Sequence, residues 1–559
     1  MNHTRQKKLL ITLLSALTLI VVAAGIIPLA ISTRYEKTLQ KKLPEWIAHA
    51  TDSLYQLTIE DISISPFTKN VTVRGIRLIP DSTKLHQLKQ AKDLPSTVYA
   101  VAIEKFEART IHWSNLFADK EISCERFVLH QPKITVEKSD TNFTRADRIT
   151  RAEIKIQRFS AAEIAIHQPD LTIKDFTRPD SLTFSLHGGN CILQDWQFNA
   201  LLPEDTSLFF YARKGVVTID SAVLKKHNSL YAFKTSNLSF TTQENTLVCT
   251  NISIEPAMSR EEYQRRVVYR DEIFSLSIPK LILNGFNWQQ LSKGSLLIQS
   301  VTAERPSLSI FLNRLLPKQP DKLRKFPTQI LLAAKMPISI DTVRVIDGQL
   351  DYTELSNKTK REGTVPLRNL DLMLINITNI PHRILQHKEC LAMLRASLFG
   401  SSLISRMQFY LDNPSGAFTA RLKGGAMDGK KLNPITIPIA SMEIESLNLG
   451  KADIQLHFDG HQAKSDLTFL YNDLDLKILK VTDEKELKGK GLLSFLLNKA
   501  LLYPANPLPS AQVRSISTTI MRQPDQSFFN LLWSSIRKGA LLTAGRNEKI
   551  ADMVTARKP

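Results

Sequence analysis

Few residues of this chain combine the types and the spacing that chemistry requires. His457-Phe-Asp-Gly-His461 brings two imidazoles and a carboxylate close together in sequence. Histidines four apart share a zinc ion when a helix turns both to one face. Here Asp459-Gly460 is a turn signal between alternating strands, so the two rings straddle a hairpin. Ser65, Ser114 and Ser300 lack the flanking glycines of a nucleophile elbow. Gly188-Gly189 and Gly424-Gly425 lack the phosphate-loop spacing and the Lys-Ser/Thr that closes it. Cys124, Cys191, Cys249 and Cys390 lie far apart with no C-x-x-C pair; three of them sit in strand-like surroundings, and Cys249 occupies the place of Val73 in the repeat, which marks it as a small hydrophobe. No enzyme, metal or cofactor is expected. A net charge of +19 over 559 residues points to an anionic partner, either nucleic acid or a membrane surface. Lys and Arg are spread along the whole length rather than clustered with aromatics, which argues against nucleic acid and is also what solvated strand faces would give.

The elements around these residues are strands, and they repeat. Residues 55–80 return later in the chain: Tyr55 falls on Tyr231, Ile62 on Leu238, Ile64 on Phe240, Ile76 on Ile252, Leu78 on Ile254 and Pro80 on Pro256. Each copy is two runs of period-2 alternation about a short polar turn, hence a β-hairpin with one apolar face. In both copies the alternation slips by one residue, at Gly75 and at Asn251. Those residue types best tolerate positive φ, so a bulge is expected at each. The repeat continues: Val101–Leu116 matches Leu276–Leu291, with Trp113 on Trp288, and Ile122–Val136 matches Leu296–Ile310, with Pro132 on Pro306 and Ile134 on Leu308. One unit is therefore a hairpin, a strand, a tryptophan-bearing turn and a strand broken by proline. The tryptophans read as corners of the core rather than ligand platforms. Strand patterning recurs at Ile154-Lys-Ile, Ile164-Ala-Ile and Ile338-Ser-Ile, and Asp347-Gly348 signals a hairpin within Val343–Glu354.

At the N-terminus an uncharged run, Leu9–Ile31, lies between Arg5, Lys7, Lys8 and Arg34, Lys37, Lys41, Lys42. It is long enough for an uncleaved transmembrane anchor, and the basic leader favours an N-terminus inside. Residues 32–58 pattern as an amphipathic helix carrying Leu39, Leu43, Trp46, Ile47 and Leu54. Further helical patterns fall at 261–266, 313–325, 383–394 and 488–502. Near the C-terminus, residues 527–545 carry Phe528, Leu531, Leu532, Trp533 and Ile536 followed by Arg537-Lys538. That mix suits a helix on a membrane surface or partner, or equally one plugging the end of a sheet.

From residue 398 the strands shorten and the turns tighten. Leu411-Asp-Asn-Pro-Ser-Gly-Ala-Phe418, Leu432-Asn433-Pro434 and Tyr471-Asn-Asp-Leu-Asp-Leu-Lys-Ile-Leu479 resemble the C-terminal region of the AsmA-like family of anchored bacterial envelope proteins. The resemblance implies a curved sheet with an apolar groove, no catalytic residues, and a role in phospholipid movement and outer-membrane homeostasis. The expected fold is mainly β: an elongated, repeat-built antiparallel sheet, curved into a groove, with one transmembrane helix and a few amphipathic helices. The expected segments are an anchor (1–33), a connecting helix (34–54), two β repeat units (55–225 and 226–397), a C-terminal β region (398–485) and a helical tail (486–559). Groove-lining candidates are Ile62, Ile64, Ile76, Leu78, Ile134, Leu238, Phe240, Ile252, Ile254 and Leu308, and the membrane-surface candidates are Phe528, Leu532, Trp533, Arg537 and Lys538. Expected partners are phospholipid or another envelope lipid, the bacterial inner membrane through the anchor with the bulk in the periplasm, and other envelope proteins. The alternative is a closed-core periplasmic scaffold that binds those proteins.

Overall fold

A computed structural model describes residues 32–65, 67–91, 95–112, 121–139, 158–176, 182–199, 207–226, 230–319, 323–481, 487–489, 494, 498, 501–509 and 511–546. The Leu9–Ile31 run, Trp113, Ser114, Ile154–Ile156, most of residues 488–500 and the last thirteen positions lie outside the described residues. Among those described, no helix is long and apolar enough to cross a membrane. The chain divides into two compact units, Met1–Ser253 with Asn284–Gly294, and Ile254–Leu283 with Ser295–Pro559.

In the first unit, the helix Ser32–Ala50 ends well before residue 58, because Asp52 and Ser53 turn left-handed (φ 51 and 58) and release Tyr55 into a strand. Tyr55–Thr58 and Asp61–Ser65 pair antiparallel with Asn70–Pro80, as the hairpin pattern requires. Asn70–Pro80 pairs with Thr97–Ile111, which spans both Glu121–His130 and Lys133–Ser139. The next ladders are parallel, Glu121–His130 with Arg158–His167 and Lys133–Ser139 with Asp170–Phe176. The sheet is therefore mixed, which corrects the antiparallel expectation: period-2 patterning fixes faces and says nothing of strand direction. Antiparallel pairing resumes through Leu182–His187 and Asn190–Asn199 to Ala212–Lys226 and Tyr231–Thr241.

A row of left-handed residues crosses this unit. Gly75 (φ 62), Gln131 (47), Gln168 (50), Gly188 (70), Gly189 (87), Asn237 (48) and Asn251 (48) all kink their strands. The register Lys105↔His130↔His167↔Asn190↔Thr218 sets neighbouring kinks at one level. Gly75 and Asn251, where bulges are expected, are two members of this row, and the register does not shift across Gly75, so the feature there is a kink rather than a bulge. At the kink the burial alternation slips by one, from Val73 to Ile76 and from Ile103 to Phe106, so the same face stays apolar on both sides. A non-glycine residue in this conformation costs about 1–2 kcal/mol. The ladder is kept whole there, since Gln131 N donates to His167 O (2.8 Å), Asp170 N to Pro132 O (2.8 Å) and Gln168 N to Gly189 O (2.8 Å).

The second unit repeats the device. Leu296–Glu304 and Ser307–Asn313 both run parallel to one strand, Ile338–Leu355. Arg305 (φ 50) kinks before Pro306 as Gln131 does before Pro132. Arg305 N donates to Ile346 O and Gln349 N to Pro306 O, both at 2.8 Å. Asp347 is left-handed (φ 52) and Gly348 is not, so the expected hairpin at Asp347-Gly348 is instead a kink inside a continuous strand with a register shift. A two-residue type I′ turn needs both residues at positive φ. The strands Glu362–Thr378, Glu389–Leu398, Ser401–Tyr410, Phe418–Gly424, Met442–Phe458, Gln462–Val481 and Ser515–Met521 then pair antiparallel in turn. Of the helical expectations, 261–266 is met by Arg260–Arg266, whereas the described residues 314–319 and 323–325 form no helix and 383–394 is a short helix, Pro381–Gln386, leading into a strand.

The kinks should be the rigid points of the first unit. Gly294→Ala places a Cβ in open space at φ 87, so only the conformational cost applies, about 1–2 kcal/mol. Gly189→Ala sets its Cβ 2.0 Å from Thr218 O and must separate two paired strands. Denaturant titration should give a loss above about 3 kcal/mol for the second variant, and equal losses would refute the coupling of strands at the kink.

Candidate functional site

Within the second unit a cavity of about 390 Å³ opens against the sheet. Its floor follows from register: Glu272↔Leu312↔Glu354 and Phe274↔Ile310↔Tyr352 set one face of three strands side by side. Its other wall is the start of the C-terminal helix, Phe528–Ala544, contributing Asn530, Ser534 and Arg537. The N-cap Ser527 accepts from Asn530 N at 3.3 Å, which fixes where the helix begins.

Five cations line this space (Arg270, Arg314, Lys318, Arg324 and Arg537) against two carboxylates (Glu272 and Asp525). Arg314 Nε sits 2.5 Å from Glu354 Oε1, and the Glu354 side chain is 6% exposed. Arg324 meets Asp271 at 3.1 Å and Glu272 at 2.9 Å, and Lys318 meets Asp525 at 2.5 Å. Burial pushes the Glu354 carboxyl above its ordinary value, with Arg314, Arg270 and Arg537 pulling it back. Burial likewise raises the Tyr352 hydroxyl. Arg522 stacks over Phe326 with its guanidinium 3.7 Å from the ring centroid, and it donates to Arg324 O, bracing the segment that carries Arg324.

The cavity floor continues as an apolar strip. Leu308↔Leu350↔Leu367 and, beyond the kink, Val301↔Val343↔Leu374 and Ala303↔Val345↔Leu372 lie in register on that face. Leu372 in turn meets Leu394. Leu308, Val343, Val345, Leu350, Leu367, Leu372, Leu374 and Leu394 are all half-buried. From Val343 to Tyr352 the strip covers ten residues, roughly 30 Å at ~3.3 Å each.

The groove candidates divide between two settings. Ile62, Ile76, Leu78 and Phe240 are buried in one cluster of the first unit, under Leu39, Leu43 and Ile47 of the helix Ser32–Ala50, with Ile64 and Ile134 packed against it. Ile252 is buried, and Leu238 and Ile254 are half-buried. Leu308 lies on the strip just described. Trp288 packs edge-on to Phe209 at 5.0 Å, a core corner. In the C-terminal helix, Phe528 and Leu532 are buried against Phe326, Phe418 and Phe458. The membrane-surface expectation is corrected for these two, because their face is already occupied by the sheet. Trp533 (45% exposed) and Phe529 (60%) form the outward face, Lys538 donates to Thr519 O, and Arg537 enters the cavity. His457 pairs with Lys464 across the hairpin, and His461 lies in its turn. Burial raises all four cysteine thiols, Cys124 to about 12 and Cys191 and Cys390 to about 11.

Arg270, Arg314, Arg324, Tyr352 and Glu354 were not singled out by sequence reasoning. The available signal was the density of cations between Arg314 and Lys325, masked by the even spread of charge elsewhere.

No protein-family model matches the chain, and no curated protein sequence matches it.

Two outcomes test this geometry. Phe528→Ala should cost about 3–5 kcal/mol and Trp533→Ala under about 0.5 kcal/mol in denaturant titration; the reverse order would place the other helix face inward. A carboxyl whose folded pKa is raised stabilises fully below its unfolded value, near 4.5, and that contribution is lost as pH rises through the folded value. Because Glu107 and Asp459 shift the other way, the readout is a difference: the stability of the native chain relative to Glu354→Gln should fall as pH rises through this window, and a difference independent of pH would refute the burial of this carboxyl.

Proposed function

We propose that this chain is a non-enzymatic lipid-binding protein of a bacterial envelope, holding acyl chains along the apolar strip of its second unit. The observation that carries this reading is the row of aligned but half-buried aliphatics from Val343 to Leu367. Aliphatic side chains at these positions of a finished core are buried, and each CH₂ removed from water gains about 0.8 kcal/mol. The strip, roughly 30 Å, exceeds the ~15 Å depth of one leaflet's hydrocarbon, so it accommodates a full acyl chain. It ends in a polar cavity, so its occupant has a polar end as well. The Leu9–Ile31 run and the resemblance of residues 411–479 to AsmA-like proteins support anchorage at the inner membrane, a periplasmic body and a part in phospholipid transport and outer-membrane homeostasis.

The alternative, a scaffold with a closed core that binds other envelope proteins, is favoured by the first unit. There the same kind of strand face is buried beneath Leu39, Leu43 and Ile47.

Native mass spectrometry of the full-length chain in a mild detergent should detect co-purifying phospholipid. Leu350→Asp with Leu372→Asp should remove the lipid while far-UV circular dichroism stays β-rich. Ile76→Asp, in the closed cluster, should instead unfold the first unit. A stable, lipid-free wild-type chain would sink the lipid reading in favour of the scaffold.

A further inference from the structure

The apolar strip does not stop at solvent. Leu312 and Tyr352 belong both to the strand face and to the lining of the charged cavity, so a molecule lying along the strip brings one end into it. We propose that this cavity is the subsite for the phosphate-bearing head of an anionic amphiphile, with Arg270, Arg314, Lys318, Arg324 and Arg537 supplying the charge and Tyr352 a hydroxyl donor. The proposal rests on the lipid-binding reading above and assigns the polar half of that ligand.

Charge, size and shape agree on this ligand. The lining holds five cations and two carboxylates, and with Glu354 and Asp271 paired behind Arg314 and Arg324 the site still carries one more cation than carboxylate. The partners that fix those cations, Glu354 for Arg314 and Asp271 with Glu272 for Arg324, hold two guanidinium groups in place before any ligand arrives. Guanidinium groups carry donors in a planar fork that matches phosphate oxygens, and four of the five cations are arginines. A cavity of about 390 Å³ is in the range of small-ligand sites and exceeds what a lone ion needs. A carboxylate amphiphile would present fewer acceptors to the same fork. A zwitterionic headgroup would bring a second cation into a space that already has a surplus.

The test uses the full-length chain in a phosphate-free, nonionic detergent, titrated with dihexanoyl phosphatidylglycerol, with dihexanoylglycerol and with inorganic phosphate. The phospholipid should bind about tenfold or more tightly than the phosphate-free diglyceride, since charged hydrogen bonds are worth that much. Arg537→Gln should bring the phospholipid down toward the diglyceride and leave diglyceride binding unchanged. Because Arg314→Gln alone would strand Glu354, the second variant is Arg314→Gln with Glu354→Gln, for which the same loss is expected. Equal binding of phospholipid and diglyceride would overturn the headgroup subsite while leaving the apolar strip intact. Phosphate binding that depends on Arg537, without any diglyceride binding, would keep the anion site, assign it to free phosphate and sink the lipid reading. Binding of neither phosphate nor phospholipid would overturn the proposal outright.

Discussion

The fold depends on one steric constraint: a strand that kinks must be matched by its neighbours. A straight strand turns alternate side chains to opposite faces, so a bend without compensation would send the next apolar residue to the wet side. A left-handed residue in one strand, such as Gly75, resets its alternation, and its partner Thr97–Ile111 slips at the same level between Ile103 and Phe106, so both halves present hydrophobes to the same face. Gly75, Gln131, Gln168 and Gly188-Gly189 lie at one level of the register, across strands that stay paired on both sides of it. Glutamine and arginine accept a conformation that costs about 1–2 kcal/mol because backbone hydrogen bonds on both flanks remain made. Duplication of the sequence carried this device into the second unit, down to the same pair of 2.8 Å bonds around Pro132 and Pro306.

The two units put the resulting apolar face to different uses. In the first, a helix lies over the strands and the aliphatics close into a cluster around Val71, Val73 and Phe106, which are almost wholly removed from water. In the second, the aliphatics of the comparable face from Val343 to Leu394 stay half-buried, and the large cluster of buried residues lies where Phe326 and the C-terminal helix cover Phe418, Phe458 and Leu467. The same patterning in sequence thus produces a closed core in one place and an open strip in another. What differs is whether a separate segment supplies the cover.

This explains which features were legible. Faces, turns and the one-residue slip are local properties, readable from period-2 patterning and from Gly75 and Asn251. The kinks at Gln131 and Arg305 were visible only as prolines that break a strand, since glutamine and arginine do not advertise a left-handed backbone. Strand direction was not legible, because the parallel ladders are set by connections that carry no pattern. Asp347-Gly348 misled because the same residue pair serves a turn or a kink, and only long-range pairing decides between them. The cavity residues come from positions 270 to 537, brought together by register and by one helix, so no window of sequence contained the site.

The pair Arg314–Glu354 argues that the cavity is more than a packing defect. Taking the Glu354 carboxylate out of water (6% exposed, beside an Arg314 side chain that is 27% exposed) costs several kcal/mol, and the attraction repays this only with good geometry and further partners. Well-packed hydrophobes of similar volume would serve stability as well or better, and the strip beside the pair shows that this face accommodates them. An ion pair under a cationic lining instead fixes a guanidinium at a defined point, ready for an anion, without requiring the side chain to be ordered when the anion binds. Glu354 holds Arg314 at the boundary between the aliphatic strip and the charged space. Under the proposed lipid reading, a boundary of that kind would position a ligand that is apolar along most of its length and charged at one end.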